Sequence, residues 1–92
     1  MKVLAIEKAL SRDPIPKSVL KREAEAVLKH YQSGFIEQIW FNEQHDAVLL
    51  IHARDKGAAA EVLDTFPLVA EGYIRFSLMA LSPYTGFSRL RG

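Results

Sequence analysis

Hydrophobic residues are spaced in two alternating ways along this chain. Residues 2–8 hold a short apolar run, Val3, Leu4, Ala5 and Ile6, which predicts a central strand. Residues 11–16 are turn chemistry with two prolines, and Pro16 suits the first position of a helix, where its missing N–H is not needed. From there to Gln32, Leu20, Ala24, Val27, Leu28 and Tyr31 recur at helical spacing, and Gly34 supplies a helix stop. Residues 35–41 and 47–54 predict two strands joined by a polar link of hairpin length, residues 42–46. Asp55 can cap a second helix with Ala59, Val62, Leu63 and Phe66 on its inner face, ended by Pro67. Gly72 opens a last strand, residues 73–81. Residues 83–92, with Tyr84, Phe87 and Leu90, predict an ordered tail that packs on a neighbouring subunit.

The element order is β-α-β-β-α-β, so the fold class expected is α+β, a single ferredoxin-like domain over residues 1–92. Right-handed crossovers give an antiparallel sheet of order 4-1-3-2 with both helices on one face. Matching strand centres sets Ala5 opposite Ser77 and Leu50, and Leu50 opposite Gln38. On that register Leu4, Ile6, Ile39, Phe41, Leu49, Ile51, Ile74, Phe76 and Leu78 lie under the helices. The open face then carries Val3, Ala5, Glu7, Ile36, Gln38, Trp40, Val48, Leu50, His52, Tyr73, Arg75, Ser77, Met79 and Leu81. That face is too apolar for a monomer to leave wet. A second copy is the expected cover, giving a homodimer with a shared dimeric α+β barrel, or a larger oligomer built from it.

Composition narrows the function classes. The chain has 92 residues and a net charge of +1, so no global field draws nucleic acid or anionic membrane. There is no cysteine, which removes thiolate chemistry and fits a cytoplasmic location. No apolar run approaches the roughly 20 residues that span a bilayer. His30, His45 and His52 fall on a helix, a turn and a strand without ligand spacing, so no metal is expected. No phosphate-loop motif is present, and the central strand over residues 47–54 offers none of the aromatics by which RNA-binding sheets stack bases.

One candidate chemistry is proton transfer. The expected register faces Glu7 with Arg75, with Tyr73 next along and His52 toward the other end. Glu7 is the candidate base and Arg75 the anchor for a substrate carboxylate, with His52 or Tyr73 as second proton carrier. Trp40, Gln38 and Met79 complete the expected pocket. The plain structural alternative is a neutralising Glu7–Arg75 pair inside a dimer, a satisfied His52, and packing roles for Trp40 and Met79.

Several strings resemble a group of small bacterial proteins described as muconolactone-isomerase-like. They are Val3-Leu-Ala-Ile-Glu-Lys8, Tyr31-Gln-Ser-Gly34, Ile39-Trp-Phe41, Phe66-Pro-Leu68 and Leu81-Ser-Pro-Tyr-Thr-Gly-Phe87, with Arg89-Leu90. The resemblance spans the whole chain. It implies the dimeric barrel, often in rings of dimers, and a cofactor-independent isomerase that moves a double bond in a small carboxylated lactone from aromatic degradation. Residues 69–73 depart from the isomerase itself. Two other functions stay open: a non-catalytic ligand-binding or assembly module, and a cofactor-free monooxygenase-like enzyme.

Overall fold

In a computed structural model the chain is described over residues 1–91. Its elements are β1 (Lys2–Ala9), α1 (Lys17–Gln32), β2 (Ile36–Phe41), β3 (Ala47–His52), α2 (Lys56–Leu63), α3 (Pro67–Ala70) and β4 (Ile74–Leu81). A final 3-10 turn covers Gly86–Arg91. The four strands form one antiparallel sheet in the order β2-β3-β1-β4, which is the 4-1-3-2 topology expected from the element order. Among the described residues, no helix is long and apolar enough to cross a membrane.

Local chemistry explains the element ends. Asp55 Oδ1 accepts a hydrogen bond of 2.7 Å from the Ala58 N–H and so caps α2. Gly34 follows α1 at φ +89, a left-handed conformation that costs glycine little. Pro67 opens α3 instead of ending α2, because its fixed φ and missing N–H suit a first helical position.

The register of β1 differs from the expected one by a single residue. Ala5 pairs with Leu49 and Leu78, not with Leu50 and Ser77. Because side chains alternate, that slip turns the strand over. Val3 and Ala5 point at the helices and are fully buried, in one cluster with Leu49, Ile51, Ala59, Leu63 and Phe66. Leu4 and Ile6 move to the open face. Phe66, the largest fully buried side chain, belongs to the same cluster as Val3 and Ala5.

A second departure is a bulge in β2. Ile36 pairs with Ile51 but Gln38 with Leu50, so Glu37 is an extra residue between them. Ile36 is thereby buried under the helices while Gln38 keeps the outward face expected of it. Glu37 is left beside Lys2 and His52, whose Nδ1 lies 3.5 Å from its carboxylate.

Phe66 closes the core from above and meets the His30 ring at a centroid distance of 4.9 Å. Phe66→Ala is expected to lower unfolding free energy by about 3–5 kcal/mol, read from the midpoint of chemical denaturation.

Candidate functional site

The helices do not cover the inner sheet face evenly. Val19 of α1 is buried, yet Leu20, Leu28 and Tyr31, members of its apolar stripe, are about half exposed. On the edge strand Phe41 is 63% exposed, although its register partner Ala47 marks it as inward-facing. Both observations have one cause. Helix α1 and strand β2 part and leave an open cleft of about 810 Å³ between them.

Two carboxylates face this cleft. Glu7 follows Val3 and Ala5 in the period-2 alternation of β1, so burying those two residues puts Glu7 on the helix side as well. Its Oε1 accepts a 3.3 Å hydrogen bond from the Ala47 N–H. Glu23 comes from the opposite wall, on the row of α1 that carries Val19 and Val27 four residues to either side. Its Oε1 accepts a 3.0 Å bond from the Leu68 N–H at the start of α3.

Both groups hold their protons more tightly than an ordinary glutamate. Burial is the main cause for Glu7. The Ala47 N–H opposes it, Asp46 reinforces it, and His45 works against it. Burial leads for Glu23 too, opposed by the Leu68 N–H and reinforced by the charge of Glu7. The charge of Glu7 is thus the smallest of the three causes at Glu23, behind burial and the Leu68 N–H.

The hairpin brings a third polar group. Asn42 Oδ1 accepts from the Gln44 and Asp46 N–H groups at 3.0 and 2.8 Å, which ties the turn together. His45 sits in that turn at φ +64 and stacks on Phe41, with centroids 3.9 Å apart and planes 15° from parallel. Tyr31, His45, Trp40 and Gln38 all line the cleft.

The expected site residues therefore divide. Glu7 lines the cleft from the inner face, and Trp40 and Gln38 border it from the edge strand β2, although their register partners Val48 and Leu50 face outward. Arg75 does not face Glu7: it pairs with Lys8 on the outward face, while Glu7 pairs with Phe76. His52 and Met79 also lie on the outward face, and Tyr73 packs beside Val19, Leu68 and Ile74. The parting of Glu7 from Arg75 follows from the turned-over β1, since a one-residue slip separates groups that a centred register would pair. Glu23 was absent from the sequence candidates because it sits among Lys21, Arg22 and Glu25, a run that resembles a solvated face. The signal for it was its place between Val19 and Val27 on one helical row.

No protein-family model matches the sequence, and no curated protein matches it. Among solved structures, a crystal structure of muconolactone isomerase at 3.3 Å resolution aligns over 92% of both chains with a TM-score of 0.76. The fold is that of muconolactone isomerase. The sequences are 16% identical, so the likeness to muconolactone isomerase is one of architecture.

The raised carboxyls affect stability in a defined direction. A glutamate that binds its proton more tightly when folded loses folding stability as pH rises from 4.5, its ordinary value, through its folded value. Glu7→Gln removes that loss and keeps an acceptor for the Ala47 N–H. The variant is expected to melt a few degrees above the parent near pH 8 and by much less near pH 4, measured by thermal denaturation at both pH values.

Proposed function

We propose that this protein is a cofactor-independent isomerase that moves a double bond in a small unsaturated ring carbonyl compound, a lactone or enone of the sort formed as aromatic rings are degraded. One observation carries the proposal: two carboxyls, both raised by burial, line one largely apolar cleft, Glu7 from the sheet and Glu23 from α1. The likeness of fold to muconolactone isomerase supports the same reaction type. On this reading the protein works in the cytoplasm, which the absence of cysteine fits.

In the ionised state Glu7 removes a proton from the carbon next to the carbonyl, and the freed electron pair moves onto the carbonyl oxygen. Protonated Glu23 then delivers a proton to the far carbon of the dienolate, and the electron pair returns to form the shifted double bond. The substrate gains and loses one proton, and passing one proton from Glu7 back to Glu23 resets the pair. A base raised toward neutrality takes a carbon-bound proton more readily than an ordinary carboxylate. Tyr31 and His45 line the same space, and their side chains carry donors for the developing oxyanion. Arg75, on the outward face, has no part in this scheme.

Assembly is part of the proposal. The corrected register gives the outer sheet face an apolar centre of Leu4, Ile6, Val48, Leu50 and Met79, rimmed by Lys2, Lys8, His52 and Arg75. An apolar centre with a charged rim is the composition of a protein interface, and a second copy of the chain fits it. In the tail, Tyr84, Phe87 and Leu90 are 73%, 71% and 83% exposed, and a neighbouring subunit is the proposed cover for them too.

Carbon-bound hydrogen exchange in D2O, followed by NMR on an unsaturated lactone such as α-angelica lactone, tests the chemistry. The parent is expected to catalyse exchange, and Glu7→Gln and Glu23→Gln each to slow it by about 10²–10⁴-fold. Unchanged rates in both variants would refute the assigned roles. Saturable binding with no exchange by the parent would favour a ligand-binding module. Light scattering at micromolar concentration is expected to show a dimer or larger particle that loses mass when the chain is cut after Ser82. A monodisperse monomer would refute the assembly, and an unchanged mass after truncation would refute the role of the tail.

A further inference from the structure

The charges around the cleft are one-sided. Glu7 and Glu23 line it, and no lysine or arginine is among its lining residues. Of the basic side chains adjacent in sequence to these two carboxylates, Arg22 is held by Glu71 at 2.7 Å and Lys8 pairs with Arg75 on the outer face. His45 is the one lining group able to become a cation, and Asp46 follows it in the chain.

The remaining wall is aliphatic and aromatic. Leu28 and Ile39 supply apolar surface, and the Phe41–His45 stack presents flat rings within the turn. A cleft of about 810 Å³ lies within the roughly 300–1,000 Å³ typical of drug-sized ligands, more than a single five-membered ring fills.

From this arrangement we infer that, on the proton-transfer reading above, the cleft takes an uncharged, flat, fused-ring carbonyl compound and turns carboxylates away. A bound carboxylate would add a second negative charge beside ionised Glu7 in a partly desolvated space. It would also favour the protonated form of Glu7 and so silence the base. A neutral carbonyl oxygen accepts from Tyr31 or His45 at no such cost, and the ring system covers the apolar wall. The substrate class therefore differs from the carboxylated lactone that the resemblance implied.

Two near-isosteric probes separate the alternatives: 2-acetylnaphthalene, a neutral ketone, and 2-naphthoate, which replaces its methyl with a charged oxygen. Heteronuclear NMR titration at neutral pH follows the Ala47 and Leu68 amides, which Glu7 and Glu23 hold. The ketone is expected to shift both amides to saturation, with the naphthoate binding about tenfold more weakly, the factor expected from a like charge a few ångströms away. In the Glu7→Gln/Glu23→Gln double variant that gap is expected to narrow to about threefold or less. If the double variant does not fold, each single variant is expected to narrow the gap in part. Naphthoate binding as tightly as the ketone, or neither probe moving the two amides, overturns the inference. The ketone preference without hydrogen exchange would sustain the ligand class and refute the isomerase, so the two readings fail separately.

Discussion

The burial of Val3 and Ala5 under Phe66 is the constraint on which the rest depends. These three residues share one cluster with Leu49, Ile51, Ala59 and Leu63, and all are nearly or fully shielded from solvent. A strand has only two faces, so fixing positions 3 and 5 inward fixes position 7 inward too. Position 7 is a glutamate, and it emerges just where α1 no longer covers the sheet. Core packing at one end of β1 thus delivers an ionisable group to the cleft at the other.

Keeping that carboxylate there has a cost that backbone groups only partly offset. Glu7 accepts from Ala47 and Glu23 from Leu68, yet burial still raises both. Each bond also joins separate elements, β1 to the start of β3 and α1 to the start of α3. The ion pair between Arg22 and Glu71 adds a second tie between α1 and the segment after α3. It is exposed and contributes little energy by itself, but it fixes the same wall of the cleft. The two walls are therefore held by bonds between separate elements, while the apolar stripe of α1 is left half exposed.

The turned-over strand also sharpens the outer face. With Leu4 and Ile6 outward in place of Val3, Ala5 and Glu7, its centre carries no charge, and the charged residues form a rim. The bulge at Glu37 contributes to this separation, since it buries Ile36 and leaves an acid at the edge beside Lys2 and His52. One face thus has the character of an interface and the other of a ligand cleft. A centred register would have mixed the two.

The sequence by itself determined the elements and their order. Helical spacing in α1, the Asp55 cap, Gly34 and the polar hairpin all act over a few residues, and right-handed crossovers then leave one economical sheet order. It could not determine the register of β1, because both faces of Val3-Leu-Ala-Ile are apolar and either could be buried. Nor could it show the bulge, since nothing in residues 36–41 marks which residue is extra. Only tertiary packing chose, by burying Val3 and Ala5 in the cluster that holds Leu49, Ile51 and Phe66. That choice moved Glu7 away from Arg75 and toward Glu23, a residue that local charge pattern had disguised as part of a solvated face.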